Sequence, residues 1–89
     1  MKQKNGFVLR DVCGDKVIVG EGLGAVDFGK LVALNETATF LWNQAAAQGD
    51  FTVDSLTAAL CGEYDVEESR ARVDVERILA EWQKVGVIE

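Results

Sequence analysis

Histidine and proline are absent from this sequence of 89 residues, and cysteine occurs only twice. Without histidine, the chain can form neither a Ser-His-Asp triad nor a histidine-containing metal site. Cys13 and Cys61 lie far apart and match no spacing of metal ligands, so we expect two free thiols with structural roles. We therefore predict no catalytic residues, no metal site and no cofactor, and we expect a protein that is not an enzyme.

Basic residues and long apolar runs are also scarce. Nine Lys and Arg residues stand against 15 Asp and Glu, which gives a net charge of −6. Because nucleic-acid backbones attract clustered Lys and Arg, this balance argues against a nucleic-acid partner. No apolar stretch approaches the roughly 20 residues of a membrane-spanning helix, and the N-terminal MKQKNGFVLR lacks the apolar core of a signal peptide. We expect a cytoplasmic protein with no membrane partner.

Three strand-like segments occupy the first part of the chain. Residues 7–12 and 16–19 are rich in β-branched and aromatic residues and flank the turn-like sequence CGD, which predicts a hairpin. The apolar run at residues 31–34 is too short for a helix and predicts a third strand. Residues 20–29 contain four glycines but no phosphate-binding glycine motif, so we interpret them as a loop.

The change from strand to helix is predicted at Asn35. Asparagine is a good N-cap because its side-chain oxygen can accept a hydrogen bond from a helix N–H, and the apolar spacing after it predicts a helix over residues 36–48. A second helix is expected to begin at the N-cap Thr52 and to continue to about Cys61, where Gly62 closes it.

The third helix has the clearest start signal. Asp65 is a good N-cap, and Glu68 three residues later completes a capping-box pattern. The helix is expected to run to about residue 84 or 85, before Gly86. Helical projection gives it one apolar face, which we assign to the core: Ala71, Val75, Ile78, Leu79, Trp82 and Val85.

A second stripe on this helix mixes basic and apolar residues: Val66, Arg70, Val73, Arg77, Ala80 and Lys84. It admits two interpretations. The first is a solvated face supported by ion pairs between residues four apart: Arg70 with Asp74, Arg77 with Glu81, and Glu68 with Arg72. The second is the wall of a groove for an extended, partly acidic peptide, which would explain why Val66 and Val73 face outward. The residues alone leave both open.

The order of elements predicts one α+β domain over residues 1–89, a winged helix-turn-helix with a three-stranded antiparallel N-terminal sheet followed by three helices. This architecture often binds DNA, but the third helix carries five acidic against four basic residues. If the third strand lies at the edge of the sheet, Lys30 is the only charged residue beside it that disfavours pairing with another chain. Such an edge suits the addition of a peptide strand, and it also permits a homodimer.

Three short motifs resemble those of the PqqD-like family. The first is LNETA at residues 34–38, followed by Leu41-Trp42, which is similar to the family's LNETA…LW signature. The second is residues 64–66, which are similar to its "eYdv" turn. The third runs from Asp74 to residues 85–89 (VGVIE) and is similar to the family's C-terminal helix ending. The resemblance spans about residues 7–89. Residues 20–29 and 43–51 depart from the family pattern, which leaves open the pathway that the protein serves.

The resemblance implies a non-enzymatic peptide chaperone, a RiPP recognition element. Members of the family bind the leader of a ribosomally made precursor peptide and present it to a modifying enzyme, a radical SAM enzyme in pyrroloquinoline quinone (PQQ) biosynthesis. The leader adds as a strand beside the third strand and lies against the third helix. Carried onto this chain, the resemblance implies peptide contacts at Leu31, Val32, Ala33, Arg70, Val73, Asp74 and Arg77. The alternative is a winged-helix transcriptional regulator that binds DNA.

Overall fold

The computed structural model describes residues 1–20 and 32–89. Its elements in chain order are β1 (Phe7–Val12), β2 (Asp15–Gly20), β3 (Val32–Leu34), α1 (Glu36–Gln48), α2 (Val53–Glu63) and α3 (Glu68–Val85). The predicted α+β fold, with a three-stranded antiparallel sheet before three helices, is confirmed. The predicted loop at residues 20–29 lies outside the described residues apart from Gly20, which ends β2. None of the described helices is long and apolar enough to cross a membrane.

The hairpin turn sets the register of the sheet. Cys13 and Gly14 both have positive φ, 53° and 86°, which are the signs required by a type I′ turn. This turn matches the right-handed twist of two strands joined by two residues, and it pairs Val12 with Asp15. Beside the turn, Lys16 contacts the carboxylate of Asp11 at 2.7 Å, and this contact lowers the pKa of Asp11.

The strand-to-helix junction forms as predicted. Asn35 Oδ1 accepts a hydrogen bond from the backbone N–H of Ala38 at 2.8 Å, so the first turn of α1 is capped. At the other end, Gly49 has φ +75°, and its N–H donates to the carbonyl of Ala45. Because β3 ends one residue before the cap, the position of α1 fixes the position of β3.

The boundary between α2 and α3 differs from the prediction. The cap at Thr52 is confirmed, with Ser55 completing a capping box, but α2 continues through Gly62 to Glu63. The predicted cap at Asp65 is wrong, since α3 begins at Glu68 after an N-cap residue, Glu67, that makes no side-chain bond.

Tertiary packing explains this late start of α3. The ring of Tyr64 contacts that of Phe40 edge to face at a centroid distance of 5.5 Å, and Val66 packs against the core. Tyr64 is therefore held in an extended conformation, which delays the helix. Val66 consequently precedes α3 and is half-buried, so it does not belong to the outward stripe on that helix.

The helices and the inner face of the sheet share one core. The predicted core face of α3 is confirmed, with Val85 packed at its margin. Trp82 of α3 is 1% exposed and meets Trp42 of α1 edge to face, with ring centroids 5.2 Å apart. On the sheet, Ile18 and Val32 lie directly opposite each other and are both buried.

Residues 1–4 pair with residues 87–89 beyond α3, which the sequence did not indicate. Lys2 and Glu89 exchange two backbone hydrogen bonds of 2.7 Å. The backbone N–H of Phe51 donates to the carbonyl of Met1 at 2.8 Å, which joins the segment to the α1–α2 connection. Val87 and Ile88, the two apolar residues that follow Gly86, are buried by this arrangement.

The turn geometry predicts opposite effects for two substitutions at Cys13. Cys13→Asn should raise the free energy of unfolding by about 0.5 kcal/mol, because asparagine before glycine favours the type I′ turn. Cys13→Val should lower it by about 1 kcal/mol or more, because a β-branched residue is strained at positive φ. Urea unfolding midpoints measure both, and an Asn variant less stable than the wild type would contradict the turn assignment.

Candidate functional site

The outer edge of β3 is the first component of the site. The sheet order is β1-β2-β3, and no other described strand pairs with β3 on the side away from β2. The turn makes Val12 and Asp15 a hydrogen-bonded pair, so Asp15 directs its N–H and C=O groups toward β1. Because these directions alternate along a strand, the next residue, Lys16, directs its backbone groups toward β3.

The same alternation orients the backbone of β3. Lys16 pairs with Leu34 and Ile18 with Val32, so these two residues of β3 direct their N–H and C=O groups toward β2. Ala33, between them, directs its N–H and C=O groups in the plane of the sheet to the side away from β2. The open edge therefore offers one donor and one acceptor at Ala33, the two groups with which an added strand pairs.

A cleft of about 110 Å³ lies beside this edge. One wall is β3 with the start of α1, and the other is the second half of α3. Its lining residues are Val32, Ala33, Leu34, Asn35, Ala38, Arg77, Ile78, Glu81 and Trp82. Asn35, Arg77 and Glu81 add polar groups to this lining, and the last two place one charge of each sign on the α3 side.

The predicted contact residues divide into three groups. Val32, Ala33 and Arg77 line the cleft. Arg70, Val73 and Asp74 lie further along α3 and are not part of the lining, although Val73 is 63% exposed, as an outward stripe requires. Leu31 lies outside the described residues.

The ion pairs on α3 are mostly not those expected from spacing. Arg77 pairs with Asp74 at 3.7 Å rather than with Glu81, and their side chains are 70% and 36% exposed. Arg70 forms no ion pair with any of residues 1–20 or 32–89. The expected pair of Glu68 with Arg72 is present at 3.8 Å.

Two polar residues of the cleft, Glu81 and Asn35, were not predicted as site residues. Glu81 follows Arg77 by one helical turn, and this spacing indicates that the two side chains lie on the same face of α3. The spacing was interpreted as an ion pair and not as a shared site. Asn35 was assigned a capping role only, which it fulfils while its exposed side also borders the cleft.

A larger concavity, of about 640 Å³, lies between α2 and the start of α3. Its charges are engaged with one another, because Arg72 contacts Asp54 at 2.5 Å and Glu68 at 3.8 Å. The contact with Asp54 raises the pKa of Arg72. No strand edge borders this concavity, so the smaller cleft beside β3 is the better candidate for binding a peptide.

Comparisons with known proteins bear on the family and the fold. A family model described as "Coenzyme PQQ synthesis protein D (PqqD)" matches residues 15–88. The fold is similar to that of a solved structure titled "TbiB1 in Complex with the TbiA(beta) Leader Peptide", with a TM-score of 0.76, 17% identity, and coverage of 100% of this chain and 95% of that chain. At this identity the likeness concerns the fold. No curated protein matches the sequence.

The orientation of β3 predicts different costs for proline at adjacent positions. Ala33→Pro should change the free energy of unfolding by less than about 1 kcal/mol, because the N–H that it removes points away from the sheet. Val32→Pro should lower it by about 2 kcal/mol or more, because that N–H belongs to the ladder with β2. Urea unfolding of both variants measures the difference; equal costs would contradict the assigned orientation.

Proposed function

The chain belongs to the PqqD family, and on that premise we propose that it is an adaptor that binds the leader of a ribosomally made precursor peptide and presents it to a modifying enzyme. The observation that carries the proposal is the edge of β3, which no other described strand covers, beside a cleft whose other wall is α3. The structure with the similar fold is that of a complex with a leader peptide.

Strand addition supplies the affinity in this proposal. The peptide pairs with the outward N–H and C=O of Ala33, and these backbone bonds do not depend on the side chains of the peptide. Such bonds tolerate many sequences, which suits a leader that is recognised along its backbone.

Side chains in the cleft supply the selectivity. The volume of about 110 Å³ suits one aliphatic side chain of the peptide, which would pack against Ile78 and Trp82. Beyond the cleft, the peptide continues along α3 past Asp74 toward Arg70 and Val73. Leu31, which precedes β3, is proposed as a further contact. A few anchors of this kind, rather than total area, would determine the binding free energy.

The finer features of the role are also proposals. The modifying enzyme is a radical SAM enzyme, the pathway is PQQ biosynthesis or that of another ribosomally made and modified peptide, and the complex forms in the cytoplasm. The role needs no catalytic residue, metal or cofactor of its own. The edge of β3, which no other described strand covers, also permits a homodimer, and this homodimer would compete with the peptide for the same backbone groups.

The alternative of a DNA-binding regulator has less support. The cleft carries charges of both signs, and Arg72 and Arg77 of α3 are paired with acidic side chains. A duplex binder needs a basic surface along the helix that enters the groove, and a chain of net charge −6 lacks the corresponding attraction.

A proline at Ala33 tests strand addition. Ala33→Pro should weaken binding of the leader at least about tenfold. It removes the backbone N–H that donates a hydrogen bond to the leader, and its ring occupies space beside the strand where the leader would lie. Ala33→Thr keeps the N–H and favours a strand, so it should bind within about twofold of wild type. Isothermal titration with a leader encoded beside the gene measures both, and equal affinity of the proline variant would refute pairing at this edge.

A charge reversal on α3 tests the second wall. Arg77→Glu should weaken leader binding by about fivefold while the fold is kept, since the residue lines the cleft and is exposed. Arg72→Glu is the matched control, because it makes the same charge change on the same helix outside the lining. If both variants lose affinity equally, the effect is one of net charge and Arg77 has no special role.

A further inference from the structure

The two charged residues of the cleft have a spacing that an extended peptide can match. Arg77 and Glu81 are four residues apart on α3, which corresponds to a rise of about 6 Å along the helix axis. In a strand, side chains on one face repeat every second residue, at about 6.6–6.8 Å. Two side chains at positions i and i+2 of a peptide that lies along the α3 axis can therefore face Arg77 and Glu81 at the same time.

Among the described residues that line the cleft, the charged ones all belong to α3. The residues on the opposite wall, from Val32 to Asn35, are uncharged, as is Ala38 of α1. On α3 itself, Arg77 contacts Asp74 across 3.7 Å, and both side chains remain accessible. Glu81 forms no ion pair with any residue in the described part of the chain. The charges of a peptide in this cleft thus interact mainly with Arg77, Glu81 and Asp74.

From this spacing we infer that the cleft selects peptides with two opposite charges separated by one residue, an acidic side chain facing Arg77 and a basic side chain facing Glu81. The inference rests on the proposed function and makes it more specific. A peptide with only acidic side chains would be attracted by Arg77 but repelled by Glu81. Exposed charge pairs contribute little affinity, but a like charge at either position is unfavourable, so the arrangement acts on specificity.

The test uses four short synthetic peptides on one strand-forming host sequence. They differ only at two positions separated by one residue, which carry Glu and Lys in both orders, two Glu, or two Lys. Titrations followed by NMR of the labelled protein give an affinity for each peptide even when binding is weak. With the wild-type protein, one of the two mixed peptides should bind about fivefold more tightly than either like-charged peptide.

A charge exchange within the cleft makes the test specific. The double variant Arg77→Glu/Glu81→Arg keeps the net charge, and it should prefer the mixed peptide of the opposite order. The control Glu68→Arg/Arg72→Glu exchanges two charges of α3 with the same spacing that line the concavity beside α2 rather than the cleft, and it should keep the wild-type order. The same NMR spectra show whether each variant is folded.

The outcomes separate this inference from the proposed function. If the peptides bind at the β3 edge but all four affinities agree within about twofold, or if the exchanged variant keeps the wild-type order, the charge selectivity is refuted and strand addition stands. If no peptide, including the leader encoded beside the gene, shifts the resonances of β3 and α3, the proposed function is refuted together with the inference.

Discussion

The edge-to-face contact of Trp42 with Trp82 is the interaction on which the rest of the structure depends. It joins α1 to α3 at the centre of the core, where Trp82 is almost fully buried. Because β3 leads through Asn35 directly into α1, fixing α1 against α3 also fixes β3 relative to α3. Trp82 in addition lines the cleft between these two elements. A core contact thus determines the width of the space in which a peptide would lie.

The sheet separates two functions within one short strand. Val32 and Leu34 use their backbone groups to pair with β2, whereas Ala33 directs its groups outward. The register that produces this division originates at the type I′ turn, two residues before Lys16, which pairs with Leu34. In the proposed complex, hydrogen bonds to the outward backbone of Ala33 provide affinity that depends little on the sequence of the peptide. The side chains of α3 provide the selectivity among peptides. These two contributions can therefore change independently.

Local signals predicted much of the fold. The hairpin, the cap at Asn35, all of α1 and the apolar face of α3 depend on residues close together in sequence, and each is found as expected. The start of α3 and the pairing of residues 1–4 were not predicted, since they depend on contacts between distant residues such as that of Tyr64 with Phe40. The same limit applies to the site. The family resemblance indicated Ala33 and Arg77, but the contribution of Glu81 becomes visible only when β3 and α3 are placed side by side.

Hydrogen exchange at a single amide tests the central claim most directly. In the free protein, the amides of Val32 and Leu34 should exchange slowly because they bond to β2, while that of Ala33 should exchange quickly. Saturation with a bound leader peptide should slow exchange at Ala33 by a large factor, because its N–H then donates to the added strand. If the Ala33 amide exchanges at its free rate while the peptide is bound, strand addition at the edge of β3 is contradicted.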